Sequence, residues 1–359
     1  MGTLLVVLIT NLLLIFPAVS QTKTPDSGVQ ALMARGNAGD TAAQVELGRA
    51  YEDGKGVQQD DEMAVQWFRK AADQGDARAQ NSLGVMYALG RGVERNKEES
   101  VRWYRKAAKG GLSEGFYNLA ISYFNGEGVT EDMPEAYAYM MLAKSRGNAE
   151  ADEALQHITA ELHDRVELAK FKLAGLYEKG DEVPQDYAAA AKLYRELVSV
   201  APQHSFEYGM SEFKLCELYA AGKGVSKDLV EAKNDCKLAA KNGVQFANVV
   251  LGRMAKQGLG GSPDPKEAAD WYRIAAADGL RDGFMELGEM KLASSSHDDI
   301  KEAYAWFYLA RMLKIPEADT QLQKAAAQLS PKEITAAEKG AEEWRHRPSW
   351  ERSKKMRIR

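Results

Sequence analysis

One leucine position recurs seven times along this chain of 359 residues, at spacings typical of stacked helix pairs. Successive anchors are 36, 36, 54, 42, 36 and 36 residues apart. The anchors are Leu47, Leu83, Leu119, Leu173, Leu215, Leu251 and Leu287. Internal periods of about 20–50 residues mark solenoids, propellers and other arrays of one supersecondary unit. A helical array has no closed cavity by default and exposes a long surface, so we expect function to lie in what that surface binds.

The first unit predicts a helix, a glycine turn and a second helix. Leu47 and Tyr51 lie four residues apart, which places them on one helical face. Gly54 and Gly56 then end the first helix, because glycine adopts left-handed turn geometry at little steric cost. Asp60 follows where the second helix should begin. Its counterparts, all good helix caps, are Asn96, Asp132, Asp186, Asp228, Asp264 and Asp299.

A small residue follows each anchor, which predicts that the two helices of a unit pack closely. These residues are Gly48, Gly84, Ala120, Ala174, Cys216, Gly252 and Gly288. The second helix has its own small position, filled by Ala64, Ser100, Ala136, Ala190, Ala232, Ala268 and Ala303. A glycine inside a helix costs about 1 kcal/mol relative to alanine, so its recurrence requires a compensating contact.

The spacing from Leu47-Gly48 to Tyr51, the turn at 54–57 and the pair Ala71-Ala72 resemble the Sel1-like repeat family, a relative of the tetratricopeptide repeats. The resemblance covers nearly all of residues 40–312. It implies an all-α fold, a right-handed α-α solenoid of seven helix-turn-helix repeats with cap helices. It also implies a non-catalytic scaffold or adaptor that binds protein partners. Repeat seven departs from the pattern, since serines at 294–296 replace the glycines.

A second internal similarity, over a longer distance, divides the array into two predicted blocks. The stretch that starts at Ala136 reappears 167 residues later at Ala303. We therefore assign repeats one to three to residues 29–168 and repeats four to seven to residues 169–345. Because the ends of a solenoid need modified, more polar units, we interpret residues 144–168 as an internal cap or joint and 311–345 as the C-terminal cap.

The N-terminal residues 1–20 predict a signal peptide. Residues 4–16 are mostly apolar, and Ala18 and Ser20 fit cleavage before Gln21. The apolar run is short for a membrane span, but the first three residues include no lysine or arginine, so a retained anchor is the alternative. We therefore expect an exported protein, periplasmic or secreted, with residues 21–28 as a linker.

The chain has two cysteines, Cys216 and Cys236, both in repeat five and on facing helices. In an oxidising compartment this placement predicts a disulfide bond between them. The alternative is a pair of ordinary buried thiols.

The net charge of −5 argues against nucleic acid as a partner. Residues 346–359 form a basic tail, which either makes a weak contact with an anionic surface or is simply a solvated end. The five histidines include no pair spaced i, i+4 for a metal, so we expect no metal and no cofactor.

An enzyme is the alternative function. Ser211 and Lys214 match the Ser-X-X-Lys pattern of penicillin-recognising enzymes, without an accompanying Ser-Asp-Asn or Lys-Thr-Gly. Some cysteine-rich Sel1-like proteins have been assigned penicillin binding or hydrolysis. The resemblance therefore implies a β-lactamase-like hydrolase as the competing hypothesis.

On the first helix of each repeat, three positions form a stripe that faces away from the leucine side: two residues before the anchor, two after it and five after it. In related solenoids this face lines the concave groove, and in repeat three the stripe consists of three bulky apolar residues. We predict a hydrophobic seat there for a partner peptide or domain. The alternative is that the joint at 144–168 folds back and covers it. The predicted partner-binding residues are Val85, Tyr117, Ile121, Phe124, Phe171 and Phe213.

Overall fold

The computed structural model describes residues 24–163, 165–202, 205–294, 296–347 and Glu351. Every regular element in these ranges is an α-helix, in agreement with the all-α prediction. The predicted signal peptide at 1–20, the start of the predicted linker and most of the basic tail lie outside the described residues.

The helix contacts divide the chain into two compact units, Met1–Gly110 and Gly111–Arg359. The block boundary predicted between residues 168 and 169 lies inside a helix of the second unit, so these units differ from the predicted blocks. The first unit contains α1 (Ser27–Asn37), α2 (Thr41–Asp53), α3 (Asp61–Asp73), α4 (Ala77–Leu89) and α5 (Lys97–Lys109). The second unit begins with α6 (Ser113–Asn125), α7 (Met133–Ser145), α8 (Ala151–Leu162), α9 (Val166–Lys179), α10 (Tyr187–Val200), α11 (Phe206–Ala221) and α12 (Leu229–Lys241). It continues with α13 (Gln245–Gln257), α14 (Pro265–Ala277), α15 (Arg281–Leu292), α16 (His297–Met312), α17 (Ala318–Ala326) and α18 (Pro331–Arg345).

The turns within the repeats form as the sequence predicts, with one exception. Gly54 ends α2 at a left-handed φ of 68°, and Asp60 then caps α3 by accepting a hydrogen bond from the Met63 amide at 3.0 Å. The caps at Asn96, Asp132, Asp186, Asp228 and Asp264 form in the same way. The prediction that Asp299 caps the second helix of repeat seven is wrong. Because repeat seven lacks the glycine turn, α16 begins earlier, at His297, and Asp299 instead pairs with Lys291 at 2.7 Å.

The small position after each anchor allows an aromatic ring of the second helix to lie directly on the first. At Gly252, the β-carbon of any larger residue would stand 2.6 Å from Cε1 of Tyr272. Gly84 and Gly288 face aromatic rings at the same distance. The predicted close packing of the two helices is therefore confirmed, and the ring contact is what compensates for glycine in a helix.

The segments outside the repeats also form helices that pack on the array. Helix α8 of the predicted joint packs against α7, and both α17 and α18 pack against α16. Trp344 of α18 is buried with its ring centroid 5.0 Å from that of Trp306 in α16. Helix α1 starts at Ser27, so the last two residues of the predicted linker at 21–28 are helical. Within the part of the chain that is described, no helix has the length and apolar character needed to cross a bilayer.

Candidate protein-binding groove

The stripe of repeat four lines an open groove in the second unit. Phe171, Gly175 and Glu178 of α9 face Met210 and Lys214 of α11 across a volume of about 380 Å³. We call this the α9–α11 groove. Phe171, Gly175 and Glu178 are the three stripe positions of repeat four.

Gly175 leaves the centre of this groove empty. A β-carbon placed there would meet no heavy atom within 4 Å, in contrast to the glycines that lie under aromatic rings. Because glycine inside a helix costs about 1 kcal/mol relative to alanine, this position is unfavourable for the chain alone. What glycine provides at this point is space next to the helix backbone.

Two aromatic residues, Phe171 and Tyr194, line the α9–α11 groove. The ring of Phe171 lies 5.7 Å from that of Tyr194 and 5.9 Å from that of Phe206, the second contact being edge-to-face. Phe206 is 64% exposed although phenylalanine buries readily. Partner-binding surfaces are enriched in aromatic residues of this kind.

Paired charges join the two helices of the α9–α11 groove. The Lys214 ammonium lies 3.0 Å from the Glu178 carboxylate and 3.1 Å from that of Glu217. Burial works against the charged form of Lys214, but the hydrogen bond to Glu178 and the neighbouring carboxylates outweigh it, so its pKa is raised. Glu178 also accepts a hydrogen bond from the Tyr194 hydroxyl at 2.9 Å, and burial followed by that carboxylate raises the pKa of Tyr194. These bonds hold the groove walls in one arrangement.

A family model for the Sel1 repeat matches seven segments: residues 41–76, 77–112, 114–148, 168–197, 209–244, 246–280 and 285–314. Together they cover more than half of the chain. The chain belongs to the Sel1 repeat family. The resemblance stated from the sequence is thereby confirmed, with the predicted number of repeats.

Two solved structures are similar to this Sel1 repeat protein. A protective antigen of uropathogenic Escherichia coli with an SLR fold is 28% identical, with a TM-score of 0.43. The match covers 86% of this chain but only 61% of the length of that antigen. A Sel1 repeat protein from Oxalobacter formigenes is also 28% identical, over 69% of this chain and 92% of its own, with a TM-score of 0.32. No curated protein matches the chain.

The predicted seat in repeat three of the Sel1 array is partly covered by the joint helix. The Tyr117 side chain lies near the carboxylate of Glu150, and burial, then this carboxylate, raises the pKa of Tyr117. The Phe124 ring makes an edge contact with His157, with 5.5 Å between ring centroids. Tyr117 and Phe124 are seven positions apart, and so are their neighbours Glu150 and His157. Helix α8 therefore runs alongside the stripe. Ile121 between them is half-buried.

The remaining predicted partner-binding residues have different surroundings. Phe213 is only 9% exposed and packs in the hydrophobic core with Leu251 and Met254, so it is a core residue. Val85 is half-buried on α4 of the first unit. Of the six predicted residues, Phe171 is the one that lines the α9–α11 groove.

Met210 lines the α9–α11 groove and Phe206 packs against Phe171, which also lines it, but the stripe pattern included neither Met210 nor Phe206. The stripe begins two residues before the anchor, whereas α11 extends nine residues before Leu215 and is longer than the other first helices. The sequence signal for this extra length was the 42-residue interval between Leu173 and Leu215. The other first helices begin six or seven residues before their anchors, so α11 gains a little under one helical turn ahead of Leu215.

The geometry of repeat five does not support the penicillin-recognising hypothesis. Ser211 is fully buried and its hydroxyl has no hydrogen-bond partner, so no substrate carbonyl can reach it. The Lys214 ammonium is held by glutamates in place of that hydroxyl. Among the residues that the structure describes, no group of three or more His, Cys, Asp or Glu side chains is arranged to hold a metal.

The predicted disulfide is present between Cys216 and Cys236, whose Cα atoms lie 5.3 Å apart. Both sulfurs are buried in the core between α11 and α12. The bond joins the helix that carries Met210 and Lys214 to its partner helix, and so supports one wall of the α9–α11 groove.

Proposed function

We propose that this Sel1 repeat protein is a non-catalytic scaffold that holds a segment of a partner protein in the α9–α11 groove. The observation that carries the proposal is the open space at Gly175, in a groove that is also lined by Phe171, whose ring packs against a phenylalanine that is 64% exposed. A helix or extended segment with an apolar side chain fits such a space, since it can approach the α9 backbone where the β-carbon is missing. Binding would bury the exposed ring of Phe206.

We further propose that the scaffold acts outside the cytoplasm, in the periplasm or as a secreted protein. Two features support this location: the disulfide, a bond that is rare in reducing compartments, and the apolar N-terminal sequence that ends in a cleavage-like site. The proposal of a cleaved signal peptide predicts that the mature chain begins at Gln21. N-terminal sequencing of protein purified from the host tests it, and a retained Met1 contradicts it.

Partner binding in the α9–α11 groove is tested with a substitution that fills the open space at Gly175. Gly175→Trp places a large ring in the open space, whereas Gly175→Ala adds one methyl group and is the matched control. Each full-length variant is immobilised and exposed to envelope extract of the host, and the proteins retained are identified by mass spectrometry. We expect partners that bind wild type and the alanine variant but not the tryptophan variant. Identical protein sets for all three chains, at unchanged helical content, contradict the proposal.

A further inference from the structure

A second groove of the second unit lies between α13 and the start of α15, with a volume of about 370 Å³. Phe246, Val249 and Val250 of α13 face Leu280 and Arg281 across it. We call this the Phe246 groove. It shares no lining residue with the α9–α11 groove.

The floor of the Phe246 groove is apolar and is exposed to solvent at its edge. Val249 is buried, and Val250 and Leu280 are half-buried. Phe246 is 62% exposed, so most of a large apolar side chain remains in water. Exposed apolar area of this kind, beside a concave surface, is typical of an interaction site.

Two arginines border this floor. The Arg253 guanidinium is half exposed. Among the described residues it forms an ion pair with Asp282, in which the nitrogen–oxygen distance is 4.0 Å. At that distance the guanidinium makes no direct hydrogen bond to the carboxylate. Arg281 is likewise 55% exposed and pairs with Glu317. A half-exposed arginine with donors still available, next to a phenylalanine, matches the composition of binding hot spots.

The chemistry of these residues specifies the occupant. Arginine presents donors in a planar fork that matches a carboxylate, and a bound segment that excludes water from the groove would strengthen that bond. Phe246 and Val250 provide an apolar surface on which a large apolar side chain can pack. We infer that the Phe246 groove binds a partner-protein segment that carries an aspartate or glutamate beside a large apolar residue.

The inference is tested with a random peptide library displayed on phage and selected on the full-length chain. Enriched peptides are synthesised with a fluorescent label and titrated by anisotropy. We expect a consensus with an acidic residue next to Leu, Phe, Ile or Met. Phe246→Ser and Arg253→Glu should each weaken binding by about tenfold or more, equivalent to about 1.4 kcal/mol. Lys109→Glu, an equal charge change on an exposed residue of the first unit, is the control and should leave binding unchanged.

A charge exchange separates recognition from loss of folding. Replacing the acidic residue of the selected peptide by lysine should abolish binding to wild type and restore it to Arg253→Glu. Gly175→Trp should leave this peptide bound, so failure here is distinguishable from failure of the α9–α11 proposal. Enrichment of peptides without an acidic residue, no enrichment at all, or binding that survives Arg253→Glu overturns the inference. A dimer in sedimentation that Phe246→Ser dissolves also overturns it, in favour of a second copy of the chain.

Discussion

The disulfide between Cys216 and Cys236 occupies the place that a glycine and an aromatic ring hold in repeat six. Cys216 follows its anchor leucine just as Gly252 does, and Cys236 stands where Tyr272 lies over that glycine. The two sites are therefore alternative solutions to one packing problem, the close approach of two helices. In repeat five a covalent bond replaces the ring contact.

Replacing both cysteines by alanine should destabilise the second unit by about 3 kcal/mol, because the bond closes a loop with a sequence separation of 20 residues. Urea unfolding followed by circular dichroism measures the loss. Wild type in reducing agent should approach the variant. The graft Cys216→Gly with Cys236→Tyr copies repeat six and should recover part of the stability. Equal stability of wild type with and without reductant would show that the bond contributes nothing.

Replacing Gly175 or Gly252 by alanine should have opposite effects on the stability of the fold. At Gly175 the added methyl group meets open space, so Gly175→Ala should stabilise the fold by up to about 1 kcal/mol through helix propensity. At Gly252 the same methyl group would stand 2.6 Å from the Tyr272 ring, and overpacking of this kind costs about 1–3 kcal/mol. Midpoints of urea unfolding distinguish the two variants. Destabilisation by Gly175→Ala would show that the position is not open.

The contacts of the joint helix predict that Tyr117 and Phe124 contribute to stability. Changing both to serine removes the packing of the Tyr117 ring near Glu150 and the ring contact of Phe124 with His157, and should lower the unfolding free energy by roughly 2 kcal/mol. Phe206→Ser, at a residue that is 64% exposed, is the control and should change it by less than about 0.5 kcal/mol. A double variant that melts like wild type but loses a partner would restore the sequence-based hypothesis of an open seat.

A buried acid in repeat five should make stability depend on pH. Asp235 is 9% exposed, and one of its carboxylate oxygens has no hydrogen-bond partner. Burial, then the charges of Glu231 and Glu212, raise the pKa of Asp235 to about 7, while Arg195 opposes the shift. The unfolded chain releases this proton near pH 4, at the ordinary pKa of about 3.9 for aspartate.

Between about pH 4 and 7 the folded state therefore holds a proton that the unfolded state has lost. The stability that this proton confers is complete below pH 4 and is lost as pH rises through about 7, by an amount on the order of 4 kcal/mol. Asp235→Asn should be more stable than wild type at pH 8, and the difference should shrink toward pH 5. Asp73→Asn, at an exposed acid of the first unit, is the control. A difference between Asp235→Asn and wild type that is the same at all pH values would refute this assignment.

Much of the fold could be predicted because it depends on local patterns. The spacing of Leu47 and Tyr51, the turn glycine Gly54 and the cap Asp60 each act within a few residues, so their periodic recurrence was enough to predict helix pairs. The prediction was wrong at Asp299 for a related reason. The altered turn of repeat seven moved the helix start, and the periodic template could not represent that change.

The binding surface was less predictable, because exposure depends on which distant segment packs on a helix. Tyr117, Phe171 and Phe213 occupy equivalent stripe positions in three repeats. Helix α8 lies beside the first, the α9–α11 groove contains the second, and the core encloses the third. Nothing in the stripe pattern separates these three cases.

The amino-acid sequence by itself determined the helical repeats, their number, the glycine and cysteine positions of close helix contact, and the family. These features follow from backbone conformation and side-chain size at fixed short spacings. Only the tertiary structure decided that Gly175 is open, that Phe206 and Phe246 are exposed, and that Arg253 borders an apolar groove. Those properties are set by contacts between residues about 30 or more positions apart, whose side-chain directions local periodicity does not specify.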